Sequence, residues 1–129
     1  MKFDNLQKLV RSISVIVGLL FANFCSHSLA DDKKVFVKNC GVCHTLSANG
    51  PSRQGPPLND IIGRKAGNIE TFAYSDGLKA ANWVWSAKIL DQWLEDPKSV
   101  IPDSYMMYRQ SDPKVRQQII RFLMSNSSS

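Results

Sequence analysis

The stretch Cys40-Gly-Val-Cys-His44, "CGVCH" at residues 40–44, sets two thiols three positions apart and an imidazole directly after the second. What such a cluster can do depends on its compartment. The chain opens like an exported protein. Lys2, Lys8 and Arg11 make a basic start, "SISVIVGLLFANF" at 12–24 is an apolar run, and "SHSLA" at 26–30 ends in the small residues that suit a signal peptidase. Cleavage is expected after Ala30, which divides the chain into a secretory signal peptide, 1–30, and one domain, 31–129, exported to the periplasm. The apolar run falls short of the ~20 residues that span a bilayer, so no stable membrane insertion is expected. An uncleaved N-terminal anchor is the alternative. Phe24 ahead of Cys25 is too bulky for lipoprotein processing.

Loss of the leader takes Cys25 and His27 with it, so every remaining Cys and His lies in the one pentapeptide. A Cys40–Cys43 disulfide would close a tiny loop and staple nothing distant. A thioredoxin-like dithiol needs a preceding strand and a βαβ context, and neither is visible. A structural zinc site wants four ligands, and three candidates are present. Covalent haem remains. Thiols at i and i+3 on a helix share a face about 5–6 Å apart, so both can form thioethers with the vinyl groups while the next residue turns to the iron.

The surrounding pattern is helical. "DDKKVFVKNCGVCH" begins with Asp31 and Asp32, favourable at a helix N-terminus, and sets Phe36 and Cys40 on one face. Residues 49–67 hold four glycines and three prolines and read as loop. "SDGLKAA" is a short helical piece. Ser86 caps "AKILDQWLED", whose Ile89, Leu90, Trp93 and Leu94 form an apolar stripe stopped by Pro97. Asp112 caps a last helix with Pro113 at its first position and Val115, Ile119, Phe122 and Leu123 at helical spacing. No alternating strand pattern or internal repeat appears.

An iron held by His44 needs a second axial ligand or an open site. Met106, Met107 and Met124 are the methionines of 31–129. Met124, in the last turn of a helix, reads as packing. Met106 and Met107 lie in the proline-led, non-helical "IPDSYMMYR", and a loop can carry a thioether to the far face of a haem.

With these segments in view, the chain resembles the class I cytochromes c, within them the mitochondrial-like and bacterial c2-like group. "VFVKNCGVCH", "GPPLNDIIGRKAG", "FAYSDGLK", "WLEDPKSVIPDSYM" and "IIRFL" follow in that family's order and spacing. The resemblance implies an all-α fold, four to five helices and loops wrapped around one covalently attached haem c. It implies Cys40 and Cys43 as attachment points and His44 as one metal ligand. It selects Met106 as the other, four residues after Pro102. Pro56 would offer its carbonyl to His44. Arg64, Tyr74, Ser75 and Trp85 match positions that bond or neutralise the haem propionates, Trp93 matches an aromatic beside the methionine, and Ser104 a loop hydroxyl. Four residues depart from the pattern: Asp32 and Asp103 stand for glycines, Leu78 for a buried asparagine and Tyr105 for a lysine. The segment after Met106 is also shorter.

Two filled axial positions suit a one-electron carrier between respiratory or other redox partners and not an enzyme. If neither methionine binds, an open iron would suit peroxidase-like chemistry or gas binding. A haem that only stabilises a binding module is a third class. The chain carries +5, from 16 basic and 11 acidic residues. The leader holds three of the basic residues and one of the acidic, which leaves +3. These charges are scattered, so nucleic acid is disfavoured. A monomer meeting redox proteins with acidic faces is expected, through Lys38, Arg53 and Lys98.

Overall fold

The computed structural model describes residues 28–48 and 53–127. The proposed leader lies outside them apart from its last three residues. Among the described residues are five helices: α1, Leu29–Cys40; α2, Asp76–Ala80; α3, Ala87–Glu95; α4, Pro97–Val100; and α5, Pro113–Ser125. No strand accompanies them, and one isolated antiparallel bridge joins Lys65 and Val84. This is the all-α architecture expected from the sequence.

α1 starts at Leu29, ahead of the expected Asp31, because Ser28 is a good cap and Leu29 and Ala30 are strong helix formers. The Ser28 hydroxyl accepts the Asp31 N–H at 3.3 Å. The point after Ala30 therefore falls inside the first turn. At its other end α1 delivers Cys40 into the core, and the N–H of His44 returns to the Cys40 carbonyl at 2.9 Å.

α3 is capped by Ser86, whose hydroxyl accepts from Ile89 N–H at 3.3 Å. Pro97 ends α3 as expected but also begins α4, a turn that the reading of Pro97 as a stop overlooked. Proline tolerates the first helical position, where no N–H is needed, and Asp96 caps the turn by accepting from Lys98 N–H at 3.1 Å. α5 is capped by Asp112, which accepts from Lys114 N–H at 2.8 Å.

α1 and α5 cross with Phe36 and Phe122 in contact, ring centroids 4.9 Å apart, and Ile119 fully buried. Arg116 is also buried on α5. It donates to Asp91 of α3 at 2.8 Å and to the carbonyls of Gln110 and Ser111 at 3.0 Å each. The loop before α2 is tied to the segment before α3: Gly63 N–H donates to Trp85 O at 2.8 Å, and Trp85 N–H to Arg64 O at 2.8 Å. Gly67 has φ +63, and a Cβ there would stand 2.4 Å from the Leu78 carbonyl, so this corner suits glycine alone.

Asp32, read as a departure where a glycine lets the C-terminal helix approach, is 1 % exposed. Its two carboxylate oxygens accept from Arg121 Nε at 2.9 Å and Nη2 at 3.0 Å, a forked pair between α1 and α5. The close approach that a glycine permits is here replaced by an ion pair at the crossing. Arg121→Leu should destabilise the protein by about 2–4 kcal/mol in denaturant titration, since the carboxylate loses its guanidinium while buried, discounted for the part-exposed arginine. Asp32→Ala with Arg121→Leu should be milder than Arg121→Leu alone; a loss in the double variant equal to the sum of the two single losses would show that the pair is not coupled.

Candidate functional site

One cavity opens between the end of α1, the 54–58 loop, α2, α3, the 104–108 segment and α5. Cys40, Cys43, His44, Pro56, Arg64, Tyr74, Ser75, Trp85, Trp93, Ser104 and Met106 all line it. Residues from 40 to 106 in sequence thus face one space. Most of its remaining wall is apolar, from Leu58, Ile61, Leu78, Leu90, Leu94, Ile119 and Leu123.

His44 is oriented by the backbone. Its Nδ1 lies 2.8 Å from the Pro56 carbonyl, which can only accept, so Nδ1 carries the proton and the Nε2 lone pair is left for a Lewis acid. Burial lowers the His44 pKa below its usual value, while the bond to Pro56 works against that shift. The neutral ring, the form that binds metals, is the favoured one. Gly55 makes room for it, because a Cβ at this position would lie 2.2 Å from the imidazole Cε1.

The two thiols differ. Burial, with Cys43 nearby, pushes Cys40 up to about 12, so it is no ready thiolate in the folded chain, which weighs against dithiol redox chemistry. The Cys43 Sγ–H donates to Gln54 Oε1 at 3.2 Å.

On the other side, Met106 and Met107 diverge. Met107 is 75 % exposed, whereas Met106 packs against the core. Trp93 Nε1–H donates to Met106 Sδ at 3.0 Å, and Ser104 Oγ accepts the Met106 N–H at 3.2 Å. A thioether sulfur has two lone pairs, so one bonded to the indole leaves the second for a metal. Trp93 also meets Trp85 edge-on at 5.3 Å, and Trp85 meets Trp83 at 6.4 Å.

The polar residues of the wall come from 64 to 85. Arg64 donates to Asn59 O at 2.9 Å and Pro57 O at 2.7 Å, and burial lowers its pKa, offset by Tyr74 and Asp60. The Tyr74 pKa is raised by burial, so its hydroxyl remains a donor. Ser75 sits at the N-cap of α2, but its hydroxyl makes no capping bond. The Ser75 Oγ is buried with no partner among the described residues. A buried hydroxyl left this way calls for a polar group from outside the chain. A neutral imidazole and a thioether on one apolar cavity, two thiols beside it, and donors that suit carboxylates all fit haem.

Sequence reasoning missed several supports of this site. Gly55 could have been suspected from its place before Pro56-Pro57. Gln54 and Asn39 carried no signal. Asp103, which stands where the family has a glycine, accepts the Gly77 N–H at 2.9 Å and so ties the Met106 loop to α2. Leu78, where a buried asparagine is usual, simply adds apolar wall.

The family model for cytochrome c matches residues 30–127. The chain is 34% identical over 103 residues to cytochrome c2 of Blastochloris viridis, covering 80% of this chain and 80% of that protein. It is 42% identical over 90 residues to cytochrome c-550 of Ancylobacter novellus, covering 67% of this chain and 83% of the relative. Cytochrome c of Arabidopsis thaliana is 36% identical over 101 residues, 74% of this chain and 90% of that one. A match across nearly all the described residues, on a helical fold whose cavity suits haem, means that the chain belongs to the cytochrome c family and carries one covalently bound haem c.

Proposed function

We propose that the protein is an exported monohaem electron carrier whose iron is held between His44 and Met106. The observation that carries this reading is the pair of immobilised donors on one cavity: a neutral His44 held by Pro56 and a Met106 sulfur held by Trp93. Bound haem supplies a one-electron couple. Cys40 and Cys43 form the thioethers that retain the cofactor outside the cytoplasm. His44 and Met106 would together hold the iron through an imidazole nitrogen and a thioether sulfur and would leave no open place for oxygen or peroxide, which suits electron transfer without ligand exchange. The soft thioether favours the reduced state, and apolar burial adds to that preference by penalising net charge. Pro56 holds the ring and strengthens it as a donor. Arg64, Tyr74, Ser75 and Trp85 bond or neutralise the propionates, and Ser104 sets the backbone at the sulfur ligand.

Redox proteins are the partners, met by a monomer in the periplasm. Lys38, Arg53 and Lys98 are exposed and give the partner face its basic character. That face is thinner in charge than a full lysine ring, since Tyr105 stands in for a lysine and is 71 % exposed. Attraction between a basic face and an acidic partner raises the association rate and is screened over roughly 8–10 Å at ordinary salt.

Met106→Ala should abolish the methionine-to-iron charge-transfer absorption, open the ferrous protein to carbon monoxide, and lower the potential by on the order of 0.1 V, within the roughly 0.8 V that axial ligation spans. Met107→Ala should leave all three unchanged. The reverse pattern would assign the ligand to Met107, and carbon monoxide binding by the unaltered protein would favour an open-site haem enzyme. Intact mass of the periplasmic protein should match a chain beginning at Asp31 plus one haem; a membrane-bound product that keeps residues 1–30 would favour the anchor. Lys98→Glu should slow electron transfer to an acidic partner several-fold at low salt, with spectrum and potential unmoved, and rates that rise with salt would rule out the basic docking face.

A further inference from the structure

The segment from Ile101 to Gln110 bears Met106 and contains no helix, so its position depends on a few point contacts. At one end Asp103 holds the Gly77 N–H at 2.9 Å. At the other, Gln110 N–H donates to Leu94 O at 2.8 Å, and the Gln110 Oε1 accepts from Asp112 N–H at 3.0 Å. Between these anchors, two residues after the sulfur ligand, Tyr108 reaches 69 positions back in sequence. Its hydroxyl donates to Asn39 Oδ1 at 3.1 Å and accepts from Gln110 Nε2 at 3.0 Å. Asn39 is in turn fixed by its Nδ2 donating to Val35 O at 2.8 Å, inside α1 and next to Cys40. Every donor and acceptor in this chain of bonds has one role, so the network has one direction and one arrangement.

We propose that Tyr108 is a positioning residue whose hydroxyl, bonded to Asn39, clasps the ligand-bearing segment to α1 and keeps Met106 from leaving the iron. The proposal rests on the His44 and Met106 ligation put forward above. α1 carries the haem-attachment motif at its end, so a clasp from this helix to the methionine segment joins the two sides of the cavity directly. The sulfur can leave the metal only if the segment swings out, and swinging out breaks the Tyr108–Asn39 bond. The aromatic ring alone fills space, whereas the hydroxyl supplies the tie.

The clasp is tested on the ferric holoprotein with imidazole as an external ligand that competes with Met106. Its apparent affinity is proportional to the population of the opened segment. Tyr108→Phe keeps the ring and removes the hydroxyl. Loss of one or two hydrogen bonds should raise imidazole affinity roughly 3- to 10-fold. The methionine–iron absorption without imidazole should stay as in the unaltered protein, and amide exchange should quicken across residues 103–110. Asn39→Ala should do the same, and the double variant should bind imidazole no more tightly than either single one. Unchanged affinity in Tyr108→Phe, or additive effects of the two substitutions, would overturn the clasp. If Met106→Ala retains the methionine–iron absorption, the ligation reading fails and the clasp with it. If that absorption is lost while Tyr108→Phe binds imidazole as before, ligation stands and the clasp alone is wrong.

Discussion

The contact between α1 and α5 is what the other parts of the molecule hang from. α1 is made of residues from the beginning of the described chain and α5 of residues from its end, so their pairing closes the domain. Phe36 against Phe122 supplies the apolar part of the contact, and the forked Asp32–Arg121 pair sets its register. Burying the carboxylate is costly unless the guanidinium meets it, which makes the crossing sensitive to a shift of either helix. Because α1 ends in Cys40 and leads into His44, whatever fixes α1 also fixes the thiol and imidazole side of the cavity. Because Arg116 of α5 bonds Asp91 of α3, the same contact passes its orientation to the helix that holds Trp93.

The site is a set of separations resolved by packing. His44 and Pro56 are 12 positions apart, Trp93 and Met106 are 13 apart, and Tyr108 and Asn39 are 69 apart. In each case one residue of the cavity wall is held by another residue of the same wall. A carbonyl decides which imidazole nitrogen is protonated. An indole N–H takes one lone pair of the thioether. This division matters for an electron carrier, since rigid donors change little when the charge on the metal changes.

The four departures from the family pattern gain physical sense together. Asp32 is matched by Arg121, Asp103 by the Gly77 N–H, and Leu78 by the apolar wall. None leaves a charge stranded in the core. Tyr105 differs in kind, being exposed, and it bears on what meets the surface and not on how the chain folds.

Much of this was legible in the linear chain. The CGVCH cluster, with no other Cys or His after Ala30, pointed to haem by chemistry alone. The caps at Ser86 and Asp112, the stop at Pro97 and the stripes of α3 and α5 follow from local rules, because a helix is decided by bonds between residues four apart. Local rules also explain the errors, such as α1 starting at Ser28's cap and Pro97 starting a helix as well as ending one. What the chain could not disclose are contacts whose partners are remote: the Asp32–Arg121 fork, the closeness of Gly55 to the His44 ring, the Ser75 hydroxyl buried without a partner among the described residues, the packing of Met106 against Trp93, and the Tyr108–Asn39 bond. Periodicity says which face of a helix is apolar, yet it is silent on which distant polar atom will meet which. That pairing depends on the distances and angles at which packed elements bring their atoms together, and only the tertiary structure sets these.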